Sequence, residues 1–204
     1  MDLQSIMTKI KYHTPSVLGH EQFMKSAVLL PLIQKDNELH VLFEVRAESM
    51  RRQPGEICFP GGRIDPQDRD VCSAAIRETT EELGIGSEAI SNVYPLDYMV
   101  TPFGMIVYPH TGLITLQGQL QPNPSEVGEL FSVPLSFFLE NEPDIHHVHL
   151  QVQPDASFPV ELIPGGENYN WRTSHINEYF YIYGDRVIWG LTARILSHFI
   201  DMIR

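Results

Sequence analysis

A sharp turn followed by a helix, within residues 59–85, constrains the fold of this chain more than any other segment. These residues read FPGGRIDPQDRDVCSAAIRETTEELGI, in which a short apolar stretch ends at a double glycine. A helical pattern then runs from about residue 70 to residue 83. Asp68 or Asp70 can cap the start of this helix, and Gly84 can stand just past its end. The sequence therefore predicts a strand, a turn and a helix in direct succession.

Three glutamates of the predicted helix lie on one side of it. On a helical wheel, Glu78, Glu81 and Glu82 cluster away from the apolar stripe that would pack on the core. Mutual repulsion of such carboxylates costs roughly 0.2–0.5 kcal/mol per exposed pair. A hard divalent cation such as Mg²⁺ reverses this effect, because it binds carboxylate oxygens and keeps water ligands whose shell a phosphate can share. The cluster is therefore a candidate metal site for phosphoryl chemistry.

A solvated acidic face is the alternative explanation for these glutamates, and for an isolated cluster it is the more frequent one. Two neighbouring features favour the metal site. Gly61 and Gly62 permit backbone angles barred to other residues and let a phosphate or a metal come close. Arg77 is expected to pair with Glu81 or with a loop acid, and so to orient the cluster rather than to touch a substrate.

The run over residues 62–85 resembles the Nudix box, G-x5-E-x7-R-E-U-x-E-E-x-G-U, where U is apolar. This resemblance implies an α/β/α sandwich with a mixed sheet between helices. It also implies Mg²⁺- or Mn²⁺-dependent hydrolysis of a nucleoside diphosphate linked to another group. The matching metal ligands are Glu78, Glu81 and Glu82, and Arg77 completes the catalytic set within the box.

The sequence departs from that pattern at three places. The interval from Gly62 to Arg77 is one residue longer than usual. The early acidic position has no glutamate, and Asp68 and Asp70 lie nearby instead, so the role of an early acid is open. Thr79 stands where an apolar residue is usual, which is a mild change in packing.

The upstream run LFEVRAESMRRQPGEICFPGG resembles the additional motif of coenzyme A pyrophosphatases, L-L-T-x-R-[SA]-x3-R-x3-G-x3-F-P-G-G. Phe43 and Glu44 replace the usual Leu-Thr pair. That subfamily also tends to have the longer box. The matching residues at the correct spacing are Leu42, Arg46, Ala47, Arg51, Gly55, Phe59, Pro60, Gly61 and Gly62. The resemblance extends over roughly residues 27–196.

This resemblance implies that coenzyme A or acyl-coenzyme A is cut at its pyrophosphate to 3′,5′-ADP and 4′-phosphopantetheine or its acyl form. Arginines suit the phosphates of such a substrate, and aromatic rings can line its pocket, although core packing is the more common role of such rings. Glu126 lies in a loop that resembles the family's N-P-x-E-V stretch and is a candidate general base or further metal ligand; an ordinary loop acid is the alternative. The predicted substrate-binding residues are Arg46, Arg51, Phe59, Gly61, Gly62 and Phe103.

Two alternative functions stay open at this point. A Nudix hydrolase could act on ADP-ribose, a dinucleotide or a nucleoside triphosphate instead of coenzyme A. A non-catalytic nucleotide-sensing module could use the same fold, although the intact glutamate cluster argues against it.

Charge and composition limit the partners of this chain. Its 14 Lys and Arg against 26 Asp and Glu give a net charge of −12, which repels nucleic acids and anionic lipids. We therefore expect no nucleic acid and no membrane as partners. The resemblance implies a small nucleotide substrate, for which a bound divalent cation could supply the local positive charge, and the sequence is compatible with a homodimer. Two cysteines without a CxxC pair predict a reducing, cytoplasmic location rather than a disulfide framework.

The remaining pattern predicts a single domain over residues 1–204, with its core at about 27–196 and a short N-terminal helix over residues 1–12. Strands are expected at residues 27–33 and 39–46, joined by a hairpin turn at residues 35–37. Strands dominate the middle, and a helix is expected over residues 187–203. This order predicts an α/β or α+β sandwich with a mixed sheet. Further strands are expected near residues 57–59, 93–100, 106–110, 112–116 and 145–152, the last of them half-buried.

Overall fold

The computed structural model of the protein describes residues 2–116, 118 and 120–204. The helices are α1 (Leu3–Lys11), α2 (Val71–Leu83), α3 (Leu135–Glu140) and α4 (Gly190–Ile203). The strands are β1 (Met24–Lys35), β2 (Glu38–Arg46), β3 (Ile57–Cys58), β4 (Gly61–Arg63), β5 (Ile90–Pro95), β6 (Met99–Thr101), β7 (Met105–Ile114), β8 (Val127–Pro134), β9 (Asp144–Leu150), β10 (Ser174–Tyr183) and β11 (Arg186–Trp189). The predicted N-terminal helix is confirmed as α1; Met1, where its predicted range began, lies outside the described residues.

The central sheet has the order β3-β2-β1-β7-β5, with β4, β6 and β8 paired to β1, β7 and β2. β1 and β7 run parallel, and the other pairs in this sheet are antiparallel. The chain between β1 and β7 carries α2, as a crossover between parallel strands requires. The predicted mixed sheet between helices is confirmed. A separate antiparallel sheet has the order β11-β10-β9.

Successive side chains of each strand point to opposite faces of the central sheet, and so they pack in two different apolar clusters. Leu30 on β1 and Phe43 on β2 pack in the same cluster as Leu196 of α4. Their neighbours Leu29 and Leu42 pack instead with Leu83 of α2. The two helices therefore cover opposite faces of the central sheet, which gives the α/β/α sandwich.

Local sequence signals define the hairpin and the start of α2. Asp36 and Asn37 both adopt positive φ, at 50° and 64°, as the tight turn between β1 and β2 requires. Asp70 caps α2: its carboxylate accepts from the Ser73 N–H at 2.7 Å, and the Ser73 hydroxyl accepts from the Asp70 N–H at 2.9 Å. Gly84 ends the helix with φ 64°. The predicted turn, cap and helix end are confirmed.

Three predicted boundaries and one predicted burial pattern are wrong. The strand expected near residues 93–100 is divided into β5 and β6. The two strands expected over residues 106–116 form the single strand β7. The last helix begins at Gly190 and not at residue 187, because residues 186–189 pair with β10 as β11. Strand β9 is exposed from residue 144 to 149, so it is not half-buried. Among the described residues, no helix is both long and apolar enough to cross a membrane.

Candidate active site

The double glycine brings a strand and a helix close enough for Glu82 to contact the backbone. β4 pairs with β1, with Gly61 opposite Val28. A Cβ on Gly61 would lie 2.5 Å from the carbonyl oxygen of Ala27, so a larger residue would push β4 away. In this position the Gly61 N–H donates to Oε2 of Glu82 at 2.7 Å. Glu82 itself is 5% exposed.

Gly62 makes room for the second helical glutamate. A Cβ at Gly62 would lie 2.5–2.6 Å from the carboxylate of Glu78, so this carboxylate packs directly over the glycine backbone. Burial raises the pKa of Glu78, and the adjacent positive charge of Arg77 opposes that shift. Each of the two glycines therefore accommodates one carboxylate of α2.

Arg77 links the remaining acids of the segment. Its Nε donates to Asp68 at 2.9 Å, its Nη2 lies 3.0 Å from Glu78, and its Nη1 donates to Glu81 at 3.2 Å. The hydrogen bond from Arg77 lowers the pKa of Asp68. Glu81 lies at the surface, with 55% of its side chain exposed. Arg77 thus contacts both kinds of partner that the sequence suggested, and Asp68 is the loop acid.

The loop before β8 carries Glu126 to the same region. The N–H of Asn123 donates to the carbonyl of Glu82 at 2.9 Å, and the N–H of Ala47 donates to the carbonyl of Glu126 at 2.8 Å. The negative charge of Glu126 is among the causes that raise the pKa values of Glu78 and Glu82. The structure therefore brings Glu126 together with the helical glutamates, although it lies more than 40 positions away in the sequence.

Glu44 is a member of this cluster that the sequence interpretation did not include. It is 1% exposed and follows Phe43 on β2, on the face that α2 covers. The pKa of Glu82 is raised first by burial and then by the negative charge of Glu44. Two features of the sequence could have identified it. Glu44 replaces the threonine of the motif that this segment resembles, and it lies two residues after Leu42, so the two side chains share one face of the strand.

These residues fit a hard divalent cation. The donors are carboxylate oxygens, which Mg²⁺ and Mn²⁺ prefer, and a buried oxygen of Glu44 has no hydrogen-bond partner in the described part of the chain. Within residues 2–116, 118 and 120–204, no group of three His, Cys, Asp or Glu side chains is already placed to coordinate one metal ion. Arg77 and the Gly61 N–H occupy the glutamate oxygens instead.

Two cavities that share lining residues lie near the double glycine, and the smaller one reaches it. The smaller, of about 160 Å³, is lined by Gly61 and Gly62. The larger, of about 420 Å³, is lined mostly by apolar side chains and continues to Phe103 and to Trp189 of β11. Arg46 lines both cavities, so together they form one groove that carries the positive charge of Arg46. This groove leads away from the carboxylate cluster.

The predicted substrate-binding residues differ in their relation to this groove. Phe103 lines its far end and is 74% exposed. Phe59 lines the smaller cavity but is 4% exposed and stacks on Phe43 at 5.2 Å, which makes it a core residue as well. Arg51 is exposed and lines neither cavity. The structure therefore brings Arg46 to the groove and leaves Arg51 outside it.

Comparisons with known proteins agree with this geometry. A sequence model described as the NUDIX domain matches residues 23–155. Peroxisomal coenzyme A diphosphatase NUDT7 of Mus musculus is 38% identical over 140 residues, which cover 69% of this chain and 58% of the mouse protein. The chain thus spans less than two thirds of the length of that relative.

Two further matches extend over more of the chain. The uncharacterized Nudix hydrolase NudL of Photorhabdus laumondii is 30% identical over 179 residues, covering 88% of this chain and 84% of NudL. The crystal structure of a MutT/nudix family protein from Enterococcus faecalis matches with a TM-score of 0.52 and 15% identity, covering 100% of this chain and 70% of that one. The structural likeness supports the fold alone.

Proposed function

Since the chain belongs to the Nudix family of pyrophosphohydrolases, we propose that its substrate is coenzyme A or an acyl-coenzyme A. The products would be 3′,5′-ADP and 4′-phosphopantetheine or its acyl form. The observation that carries this proposal is the groove that starts at Gly61 and Gly62, passes Arg46 and widens into a mostly apolar cavity. The motif shared with coenzyme A pyrophosphatases and the likeness to the mouse coenzyme A diphosphatase support it.

The carboxylates of α2 would hold Mg²⁺ or Mn²⁺, with Glu78 and Glu82 from the buried side and Glu81 from the surface. When bound, the cation supplies charge neutralisation of the diphosphate and a polarised water. The chain's own residues provide the rest. The Gly61 N–H fixes Glu82, Arg77 orients Glu78 and Glu81, and Glu126 is the candidate to accept the proton of the attacking water.

Coenzyme A matches the groove in charge and in shape. Its diphosphate would lie at the double glycine beside the carboxylates, where a divalent cation offsets their repulsion. Its pantetheine arm is long and carries few charges, which suits a cavity of about 420 Å³ lined by residues such as Met105 and Leu191. Arg46 provides a fixed positive charge for a phosphate between these two ends.

Other parts of the prediction belong to the same proposal. We propose a single domain with its core at about residues 27–196, and a cytoplasmic location is consistent with Cys58 and Cys72 both being free thiols. A homodimer stays a prediction.

A panel of substrates tests the proposal. The protein is incubated with Mg²⁺ or Mn²⁺ and one of five substrates: coenzyme A, acetyl-coenzyme A, ADP-ribose, a dinucleotide or a nucleoside triphosphate. The products are separated by chromatography and identified by mass spectrometry. We expect release of 3′,5′-ADP from the two coenzymes with the highest kcat/KM. A higher kcat/KM for AMP release from ADP-ribose would contradict the substrate assignment. Tight binding of coenzyme A without cleavage under either metal would instead favour a sensing module.

A further inference from the structure

Glu44 occupies a place in which a carboxylate is costly. It lies in the middle of the central sheet on β2, opposite Cys58 of β3 and Leu130 of β8. The Cys58 thiol donates to its Oε1 at 3.2 Å, and its Oε2 has no hydrogen-bond partner among the described residues. A buried polar group without a partner destabilises a fold, and a buried ionised carboxylate does so far more strongly. An ionised Glu44 therefore needs a compensating charge.

The protein groups around Glu44 do not provide that charge. From α2 it is faced by the carboxylate of Glu82, and from the loop before β8 by that of Glu126. The nearest cation is Arg46 on the same strand, but its Nε donates to the carbonyl of Arg52 at 3.3 Å, and no ion pair to Glu44 forms in the described part of the chain. Glu44 and Glu82 thus form a buried pair of carboxyl groups that repel each other when both are ionised.

We propose that Glu44 is an additional carboxylate of the metal site, buried behind Glu82, whose charge is compensated by the same divalent cation. The inference rests on the proposed metal-dependent function and goes beyond the helical glutamates. It accounts for both unusual features of Glu44 at once, the oxygen without a partner and the closeness to Glu82. A cation placed among the carboxylates converts their repulsion into attraction. The motif that this segment resembles has threonine at the position of Glu44, and threonine carries no charge. The additional carboxylate is therefore a departure of this chain from the motif.

A Mn²⁺ titration of the whole chain tests this role without relying on turnover. Free Mn²⁺ is followed by electron paramagnetic resonance, for the unaltered protein and for Glu44→Gln, which keeps the shape of the side chain and removes its charge. We expect Mn²⁺ to bind at least about tenfold more weakly to Glu44→Gln, in the range found when groups that support metal ligands are removed. The matched control is Glu38→Gln, the same change at the exposed far end of β2.

A purely structural role would give a different result. In that case Glu44→Gln would lower the melting temperature of the metal-free protein and leave Mn²⁺ affinity within about twofold of the unaltered protein, and this would overturn the inference. Glu44→Thr provides a second variant without the charge, should the glutamine fold poorly. If the unaltered protein itself bound no Mn²⁺, the proposed metal-dependent function would fail together with the role of Glu44. If the unaltered protein bound Mn²⁺ and Glu44→Gln bound it equally well, only the role of Glu44 would fail.

Discussion

Phe43 and Glu44 are neighbours on one strand, and both are buried. They face opposite sides of the central sheet, and their burial has opposite effects on the stability of the fold. Phe43 is 0% exposed and stacks on Phe59 and Phe131 at 5.2 and 5.3 Å. Glu44 is 1% exposed and faces the carboxylate of Glu82. Burial of an aromatic ring stabilises the fold, whereas burial of a carboxylate with one oxygen left without a partner opposes it.

The two faces of the sheet therefore have different tasks. The face under α4 is packed with large apolar side chains, including Leu196, Phe199 and Ile200. The α2 side has a smaller apolar cluster, which includes Leu29, Leu42 and Leu83, and it also contains the buried acids Glu44 and Glu82. We infer that the α4 side supplies most of the stability, and that this surplus allows the α2 side to retain charges that serve chemistry.

The largest expected effect tests the chemical face. Glu82→Gln should lower kcat for coenzyme A by about three orders of magnitude, or roughly 4 kcal/mol of transition-state stabilisation, because it removes a proposed metal ligand. The free energy of unfolding should stay unchanged or rise, since glutamine can still accept from the Gly61 N–H and has no ionised form that is costly to bury. Both are measured, by steady-state kinetics and by urea denaturation, with Glu38→Gln as the control. Near-normal turnover would rule out the metal role of Glu82.

The next effect tests the structural face. Phe43→Leu should lower the free energy of unfolding by about 1–3 kcal/mol, because the ring stacking and part of the packing are lost. Mn²⁺ affinity of the folded protein should stay within about twofold. Urea denaturation and a Mn²⁺ titration measure the two quantities. A large loss of affinity with little loss of stability would show that the two faces are not separate in their tasks.

A third effect tests the groove that joins the chemical face to the cavity. Arg46→Ala should raise KM for coenzyme A about tenfold with a smaller change in kcat, because the substrate phosphates lose a fixed positive charge. Arg51→Ala is the matched control and should change KM less than about threefold, since Arg51 lines neither cavity. Equal effects of the two substitutions would contradict the path assigned to the substrate.

The smallest effect concerns the cap of α2. Asp70→Ala should lower the melting temperature by a few degrees and Asp70→Asn by less, because asparagine also caps helices. The hydrogen bond from the Ser73 backbone lowers the pKa of Asp70 in the folded protein. Its stabilisation is therefore present above the ordinary aspartate pKa and is lost as the pH falls through the folded pKa. Melting curves of the unaltered protein and Asp70→Ala should converge at acidic pH; a constant difference would argue against the ionised cap.

Features set by neighbouring residues could be predicted from the sequence. The cap and end of α2 depend on Asp70, Ser73 and Gly84, and the hairpin turn depends on Asp36 and Asn37, so the local pattern is sufficient. The glutamate spacing also predicted which side of α2 carries the acids, and the resemblance implied the correct fold.

Features set by distant contacts could not be predicted in this way. The start of α4 depends on the pairing of β11 with β10, and the exposure of β9 depends on what packs against its sheet, so the local pattern shows neither. Glu44 was treated as a motif substitution, because its burial depends on β2, β3 and α2 packing together. Its environment is a property of the assembled sheet.

The most direct test of the account is a crystal structure of the protein grown with Mn²⁺ and measured for anomalous scattering. We predict a peak beside the buried carboxylates of Glu78 and Glu82, with oxygen distances of about 2.1 Å as for a hard cation, and Arg77 still held by Asp68. Absence of a peak there, with Glu82 still bonded only to the Gly61 N–H, would contradict the claim that these acids are held together for a metal.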